Sequence, residues 1–82
     1  MKITKDDYQK LSELVNEFKT EMNINSLEDY GMTKIRYAWD IYHFTMDYLQ
    51  MRNRVSDYLF MRRLYDYLND ANIQTALIKI LC

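Results

Sequence analysis

Residues 34–51 carry two apolar stripes on opposite sides of one predicted helix. Along each stripe the apolar residues recur every three or four positions, which is the spacing of one helical face. The first stripe comprises Ile35, Trp39, Tyr42, Met46 and Leu49, and the second comprises Tyr37, Ile41, Phe44, Tyr48 and Met51. At about 100° per residue the two stripes lie roughly 160–200° apart around the helix. A helix that is apolar on two sides must be covered on both. We therefore expect it either to run through the centre of a bundle or to offer one side to a partner chain.

The remaining sequence predicts shorter helices around this one. Thr4 and Asp7 have the spacing of an N-terminal cap, and the pair Asn69-Asp70 is placed to end the third helix and cap the last. Ser56 or Asp57 is expected to cap the third helix. The predicted helices lie near 5–23, 34–51, 56–68 and 71–81, with a short turn at 26–30 that ends at Gly31 and a cap at Thr33. Because no segment alternates like a strand, the expected fold is all-α. It is a small antiparallel bundle of three to four helices, with residues 34–51 central and residues 1–82 forming a single domain.

Composition narrows the classes of function. The chain of 82 residues has 11 basic and 12 acidic side chains, one glycine, no proline, one histidine and one cysteine. A glycine-rich phosphate loop is excluded, and little remains from which a catalytic site could be assembled. We expect no enzyme and no cofactor. No apolar run approaches the ~20 residues that cross a bilayer, and a lone Cys82 favours a reducing compartment. The sequence thus predicts a cytoplasmic protein without a membrane partner.

Asp40, His43 and Asp47 share one side of the central helix. Their spacing is compatible with ligands of a divalent metal ion, or with a histidine base oriented by a carboxylate. One helix supplies at most three ligands here, and no second histidine or cysteine pair joins them. We therefore favour a solvated polar strip, in which Arg36 pairs with Asp40, and expect no metal site.

Four arginines cluster near the junction of the second and third predicted helices. They are Arg52, Arg54, Arg62 and Arg63, with Tyr58 and Phe60 among them. Arginine binds phosphate and tyrosine stacks on bases, so a small nucleic-acid-binding regulatory module is the alternative function. The competing interpretation is that Arg62 and Arg63 pair with Asp66 and Asp57, while Arg52 and Arg54 only decorate a loop. A net charge of −1 lacks the basic surplus of most nucleic-acid binders.

Protein binding is the favoured function class. Eight tyrosines and six methionines are many for this length, and both residue types are common at interfaces. The surplus is expected on the second stripe, at Tyr37, Phe44 and Tyr48, and also at Tyr58 and Tyr65. Serine at Tyr37 and Tyr48 is then expected to weaken association, including a possible homodimer, and to leave folding nearly intact. The acidic first helix, with Glu13, Glu17 and Glu21, is the other predicted contact surface.

Three segments carry a resemblance to a known class of proteins. They are ITKDDY at residues 3–8, KIRYAWD at residues 34–40 and LYDYLNDANIQTAL at residues 64–77, together 27 of the 82 residues. The chain resembles small accessory proteins encoded by phages and prophages, many of which are anti-defence factors of the anti-CRISPR type. The resemblance implies an inhibitor that occupies a surface of a host defence complex, a protein or ribonucleoprotein, in the bacterial cytoplasm. It assigns no functional residue.

Overall fold

The computed structural model describes residues 3–24 and 34–81. These form four helices, α1 (Lys5–Met22), α2 (Lys34–Met51), α3 (Val55–Tyr65) and α4 (Ala71–Leu81), and the described residues contain no strand. α2 packs against each of the other three helices, and α1 also contacts α4. The predicted fold class, a small all-α bundle with residues 34–51 at its centre, is confirmed. The predicted turn at 26–30, the cap at Thr33 and Cys82 lie outside the described residues.

α1 begins and ends where local chemistry predicts. The Thr4 hydroxyl accepts a hydrogen bond from the Asp7 backbone N–H at 3.1 Å, and the Asp7 carboxylate accepts one from the Thr4 N–H at 3.1 Å. This reciprocal pair satisfies two amides that the first helical turn leaves open. At the other end Asn23 adopts a left-handed conformation with φ 55°, which directs the next N–H, that of Ile24, back to the Lys19 carbonyl at 2.9 Å. Asparagine tolerates this conformation better than most residues.

The third helix departs from its predicted bounds. It begins at Val55, with Arg54 as the cap residue and no side-chain cap bond, so the prediction of a cap at Ser56 or Asp57 is wrong. It ends at Tyr65, and the predicted segment beyond that point forms turns in which the Tyr67, Leu68 and Asp70 N–H groups each bond three residues back. Of the two residues expected to cap the last helix, Asn69 and Asp70, it is Asp70 that does so, since its carboxylate accepts from the Asn72 N–H at 2.8 Å.

The core uses both sides of α2. Tyr37 and Tyr48 are only 3% and 6% exposed, and Ile41 is 3% exposed. The prediction that Tyr37 and Tyr48 form a surplus on the surface is therefore wrong. α1 covers them: the Phe18 ring meets the Tyr48 ring edge to face at 5.7 Å. Two members of the second stripe are exposed, Phe44 at 52% and Met51 at 83%, so the expected exposure holds for Phe44.

The opposite side of α2 is closed by α3 and α4. Tyr42 is 1% exposed and its hydroxyl donates to the Met61 carbonyl at 2.5 Å. Burial raises the pKa of Tyr42, so its hydroxyl stays protonated and remains a hydrogen-bond donor at neutral pH. None of the described helices combines the length and apolarity needed to span a bilayer.

Candidate functional site

The acidic side of α1 and the arginine cluster bind each other. The Glu17 Oε2 atom accepts from Arg54 Nη1 at 2.6 Å and from the Tyr48 hydroxyl at 2.9 Å. Arg54 also donates through Nε and Nη2 to Asp57 Oδ2, at 2.9 and 2.7 Å. One guanidinium thus joins the middle of α1 to the first turn of α3. We call Arg54, Glu17, Asp57 and Tyr48 the Arg54 clasp.

The other three predicted arginines also contact carboxylates. Arg52 lies 3.8 Å from Glu21, Arg62 lies 3.4 Å from Asp66, and Arg63 lies 3.2 Å from Asp7. The predicted pair of Arg62 with Asp66 is confirmed, whereas that of Arg63 with Asp57 is wrong. The physical reason is that Asp57 faces α1 and already accepts from Arg54 and from Lys10, which is 3.5 Å away. Glu13, the third predicted acidic contact, makes no ion pair with residues 3–24 or 34–81; among these residues its carboxylate accepts a long 3.4 Å bond from Gln9.

These contacts make three carboxylic acids stronger. The hydrogen bond from Arg54 holds the pKa of Glu17 below its ordinary value. Burial opposes ionisation of Asp57, but the hydrogen bonds and charges of Arg54 and Lys10 outweigh it and lower the pKa of Asp57. The backbone N–H of Thr4, helped by Arg63, lowers the pKa of Asp7. Folding therefore favours the ionised form of each group.

A loss of stability in acid follows from these lowered pKa values. A carboxylate whose pKa is lower in the folded than in the unfolded chain stabilises the fold above the unfolded value, near 4, and ceases to do so as the pH falls through the folded value. We expect the urea midpoint to be nearly constant from about pH 7 to 5 and to fall steadily below about pH 5. Urea denaturation followed by circular dichroism at each pH measures this. A midpoint that stays constant down to about pH 3 would contradict the lowered pKa values.

A different surface lies between α2 and α3. A groove of about 290 Å³ is lined by His43, Met46, Asp47, Tyr58, Arg62 and Tyr65. The His43 ring stacks on the Trp39 ring at 6.2 Å, and the Tyr65 ring packs edge-on with these two rings at 5.9 and 5.4 Å. Two of the aromatic side chains that line the groove, His43 and Tyr65, therefore contact each other and Trp39.

The strip of Asp40, His43 and Asp47 does not resemble a metal centre. In the part of the chain that the structure describes, no three histidine, cysteine, aspartate or glutamate side chains are placed to hold one ion. The His43 ring packs on Trp39, and its Nε2 atom lies a long 3.5 Å from the Tyr65 hydroxyl.

Large apolar side chains are also exposed on α2 and α3. Within the described ranges five are strongly exposed, and four of them lie on α2 and α3: Phe44 (52%), Met51 (83%), Val55 (63%) and Leu59 (57%). Helical spacing sets Phe44 and Met51 beside Asp47, and Val55 and Leu59 beside Arg62 and Tyr58. We call these four side chains with the groove the α2–α3 face. Sequence reasoning identified Phe44 but missed Val55 and Leu59. The available signal was that these two residues lie four apart, off the stripe of Phe60, Met61 and Leu64.

No protein-family model matches this chain, and no curated protein or solved structure matches it at a significant level.

Proposed function

We propose that the protein acts by binding another protein through the α2–α3 face, as a stoichiometric inhibitor. The observation that carries this proposal is the exposure of Phe44, Met51, Val55 and Leu59 on two neighbouring helices of a small bundle. Grouped exposed apolar side chains with a polar surround are typical of protein-binding surfaces. The groove lined by residues of α2 and α3 adds aromatic and methionine side chains, which are enriched at interfaces.

The partner we propose is a surface of a bacterial host defence complex of the CRISPR–Cas type, in the host cytoplasm. The support for this finer statement is the resemblance of three segments to phage and prophage accessory proteins. An inhibitor of this kind needs no catalytic group, since it works by occupying a surface that the complex uses.

We place the proposed contact on the α2–α3 face and not on α1. Glu17 and Glu21 are engaged by Arg54 and Arg52, so the acidic side of α1 stabilises the bundle. The same pairs speak against the nucleic-acid alternative. Each of the four predicted arginines lies within 4 Å of a carboxylate, which cancels much of the charge that phosphate binding requires.

The test is partner binding and inhibition by variants of the face. Phe44→Ser and Leu59→Ser are expected to weaken binding to a susceptible defence complex at least about tenfold each, because buried aromatic and aliphatic anchors dominate interfaces. Both positions are exposed, so folding should survive. Surface plasmon resonance with purified complexes measures the affinity, and plaque formation on bacteria that carry the complex measures inhibition.

Met22→Ser is the matched control for this test. Met22 is 52% exposed, as Phe44 is, but it lies at the end of α1. An equal loss in Met22→Ser, or no loss in either face variant, would contradict the proposal. A homodimer would also contradict the proposal if it formed through this face. Light scattering would then give the mass of two chains for the wild type and of one chain for Phe44→Ser.

A further inference from the structure

The methionines of residues 3–24 and 34–81 fall into two groups by exposure. Met51 is 83% exposed at the end of α2, and Met22 is 52% exposed at the end of α1. Met46 and Met61 are only 7% and 0% exposed. Oxidants convert the thioether sulfur of methionine to a sulfoxide, and the reaction requires that the oxidant reach the sulfur. An oxidant in solution therefore reaches Met51 most readily, and it reaches the two core methionines only when the bundle opens.

Met51 also differs chemically from the other apolar side chains of the α2–α3 face. Phe44, Val55 and Leu59 are hydrocarbon side chains without sulfur. Oxidation makes the Met51 side chain polar. The sulfoxide oxygen is a hydrogen-bond acceptor, and burying such a group against an apolar partner surface without a donor costs free energy. The addition of one oxygen atom therefore changes the surface on which the proposed function depends.

The fold around Met51 does not depend on its side chain. The turn that follows α2 places Asn53 in the left-handed conformation, with φ 57°. The Asn53 N–H donates to the Gln50 carbonyl at 3.1 Å, and the Arg54 N–H donates to the Leu49 carbonyl at 2.9 Å. These backbone bonds close the end of the helix. A sulfoxide on the exposed Met51 side chain is hydrated and leaves them in place.

We propose that Met51 is a reversible oxidation site whose sulfoxide weakens partner binding by the α2–α3 face. The proposal rests on the proposed function and concerns the regulation of the same face. Hydrogen peroxide transfers one oxygen atom to the sulfur: the O–O bond breaks, an S–O bond forms, the sulfur is oxidised by two electrons and water is released. Methionine sulfoxide reductases reverse the step. Two thiols then supply two electrons and two protons, and they leave as a disulfide with one water molecule.

Mass spectrometry tests where the protein reacts. The Cys82→Ser variant, which has no competing thiol, is treated with dilute hydrogen peroxide and digested at successive times. The sulfoxide is expected to form faster at Met51 than at Met22, and at Met46 and Met61 at least about tenfold more slowly than at Met51. The circular dichroism spectrum and the urea midpoint are expected to stay constant while only the exposed methionines are oxidised.

Partner affinity tests the regulation, in the same Cys82→Ser background. Peroxide treatment is expected to weaken binding to the defence complex about five- to tenfold, because one contact of the face becomes polar. Methionine sulfoxide reductases A and B are expected to restore the affinity. Met51→Leu cannot form the sulfoxide, so its affinity should be the same before and after treatment. Met22→Leu is the matched control; it retains Met51 and should respond as the parent protein does.

The outcomes separate this proposal from the proposed function. It is overturned if Met46 or Met61 is oxidised as fast as Met51, if the reductases leave the Met51 sulfoxide in place, or if Met51→Leu loses affinity on treatment. If the untreated protein binds a complex and full oxidation of Met51 leaves the affinity unchanged, the regulation fails and the proposed function stands. If Met51 reacts selectively and reversibly but no defence complex binds the untreated protein, the oxidation site stands, and the proposed function fails together with its regulation.

Discussion

Replacing Ile41 with alanine is expected to lower the free energy of unfolding by about 2–5 kcal/mol. Ile41 is 3% exposed on the side of α2 that α1 covers, so truncation removes apolar contacts and leaves a cavity that neighbouring side chains fill only in part. A small domain has a total stability of roughly 5–15 kcal/mol, and this single change removes a large fraction of it. Urea denaturation followed by circular dichroism gives the value.

Phe44→Ala is the matched control for Ile41→Ala. Phe44 lies three residues further along the same stripe of α2, but it is 52% exposed. Its truncation is expected to change the free energy of unfolding by no more than about 1 kcal/mol. Serine at Tyr37 or Tyr48 is expected to destabilise in the manner of Ile41→Ala, because both side chains are buried by α1. Equal, small effects of Ile41→Ala and Phe44→Ala would show that α1 does not cover this side of α2.

Replacing Arg54 with methionine is the second change with a large expected effect. It removes the hydrogen bonds to Glu17 and Asp57 and leaves two carboxylates 2.6–2.9 Å from a missing donor. Hydrogen bonds to charged groups contribute about 1.5–3 kcal/mol. The Arg54 and Glu17 side chains are each 37% exposed, so solvent screening reduces the expected loss to about 1–2 kcal/mol. Methionine keeps the length and apolar stem of the side chain.

Arg52→Met isolates the geometry from the charge. The substitution Arg52→Met removes the same positive charge two residues away. The contact of Arg52 with Glu21 spans 3.8 Å, and both side chains are more than half exposed. Its loss is expected to lower stability by less than about 0.5 kcal/mol. Arg54→Met, unlike Arg52→Met, should also flatten the decline of stability below pH 5, since the pKa values of Glu17 and Asp57 are lowered through Arg54. Equal effects of the two variants would show that the Arg54 clasp contributes only general charge.

The elements of this fold could be predicted because their signals are local. The reciprocal bonds of Thr4 and Asp7 need only four adjacent residues, and the cap at Asp70 needs only three. The period of apolar residues along 34–51 reports the helix regardless of its neighbours. The end of α3 was harder to place. Leu68 continues the apolar stripe and is only 2% exposed, although the helix has already ended at Tyr65. At Leu68 the chain is buried but no longer helical. A periodic apolar pattern indicates which residues are buried and does not mark where a helix ends.

The candidate site was harder to predict because it depends on contacts between distant residues. Packing of α1 decides whether Tyr48 faces a partner or the core. Its hydroxyl donates a hydrogen bond to Glu17, which lies 31 residues earlier in the chain. The sequence predicts separate binding surfaces for Arg54 and Glu17. In the structure these two residues, 37 positions apart, bind one another. Val55 and Leu59 were overlooked for a simpler reason, since a single exposed leucine is ordinary. Only the packed structure shows that both remain exposed, at 63% and 57%, on a helix that packs against α2.

The Arg54 clasp has a consequence for how this protein can change over generations. Glu17, Arg54 and Asp57 constrain one another, so a substitution at any of them disturbs the packing of two helices at once. Side chains such as Met51 and Leu59 project into solvent and contribute little to stability. Sequence drift is therefore tolerated on the side of the molecule that faces outward from α2 and α3. Substitutions can accumulate on that side over generations while the rest of the bundle stays as it is.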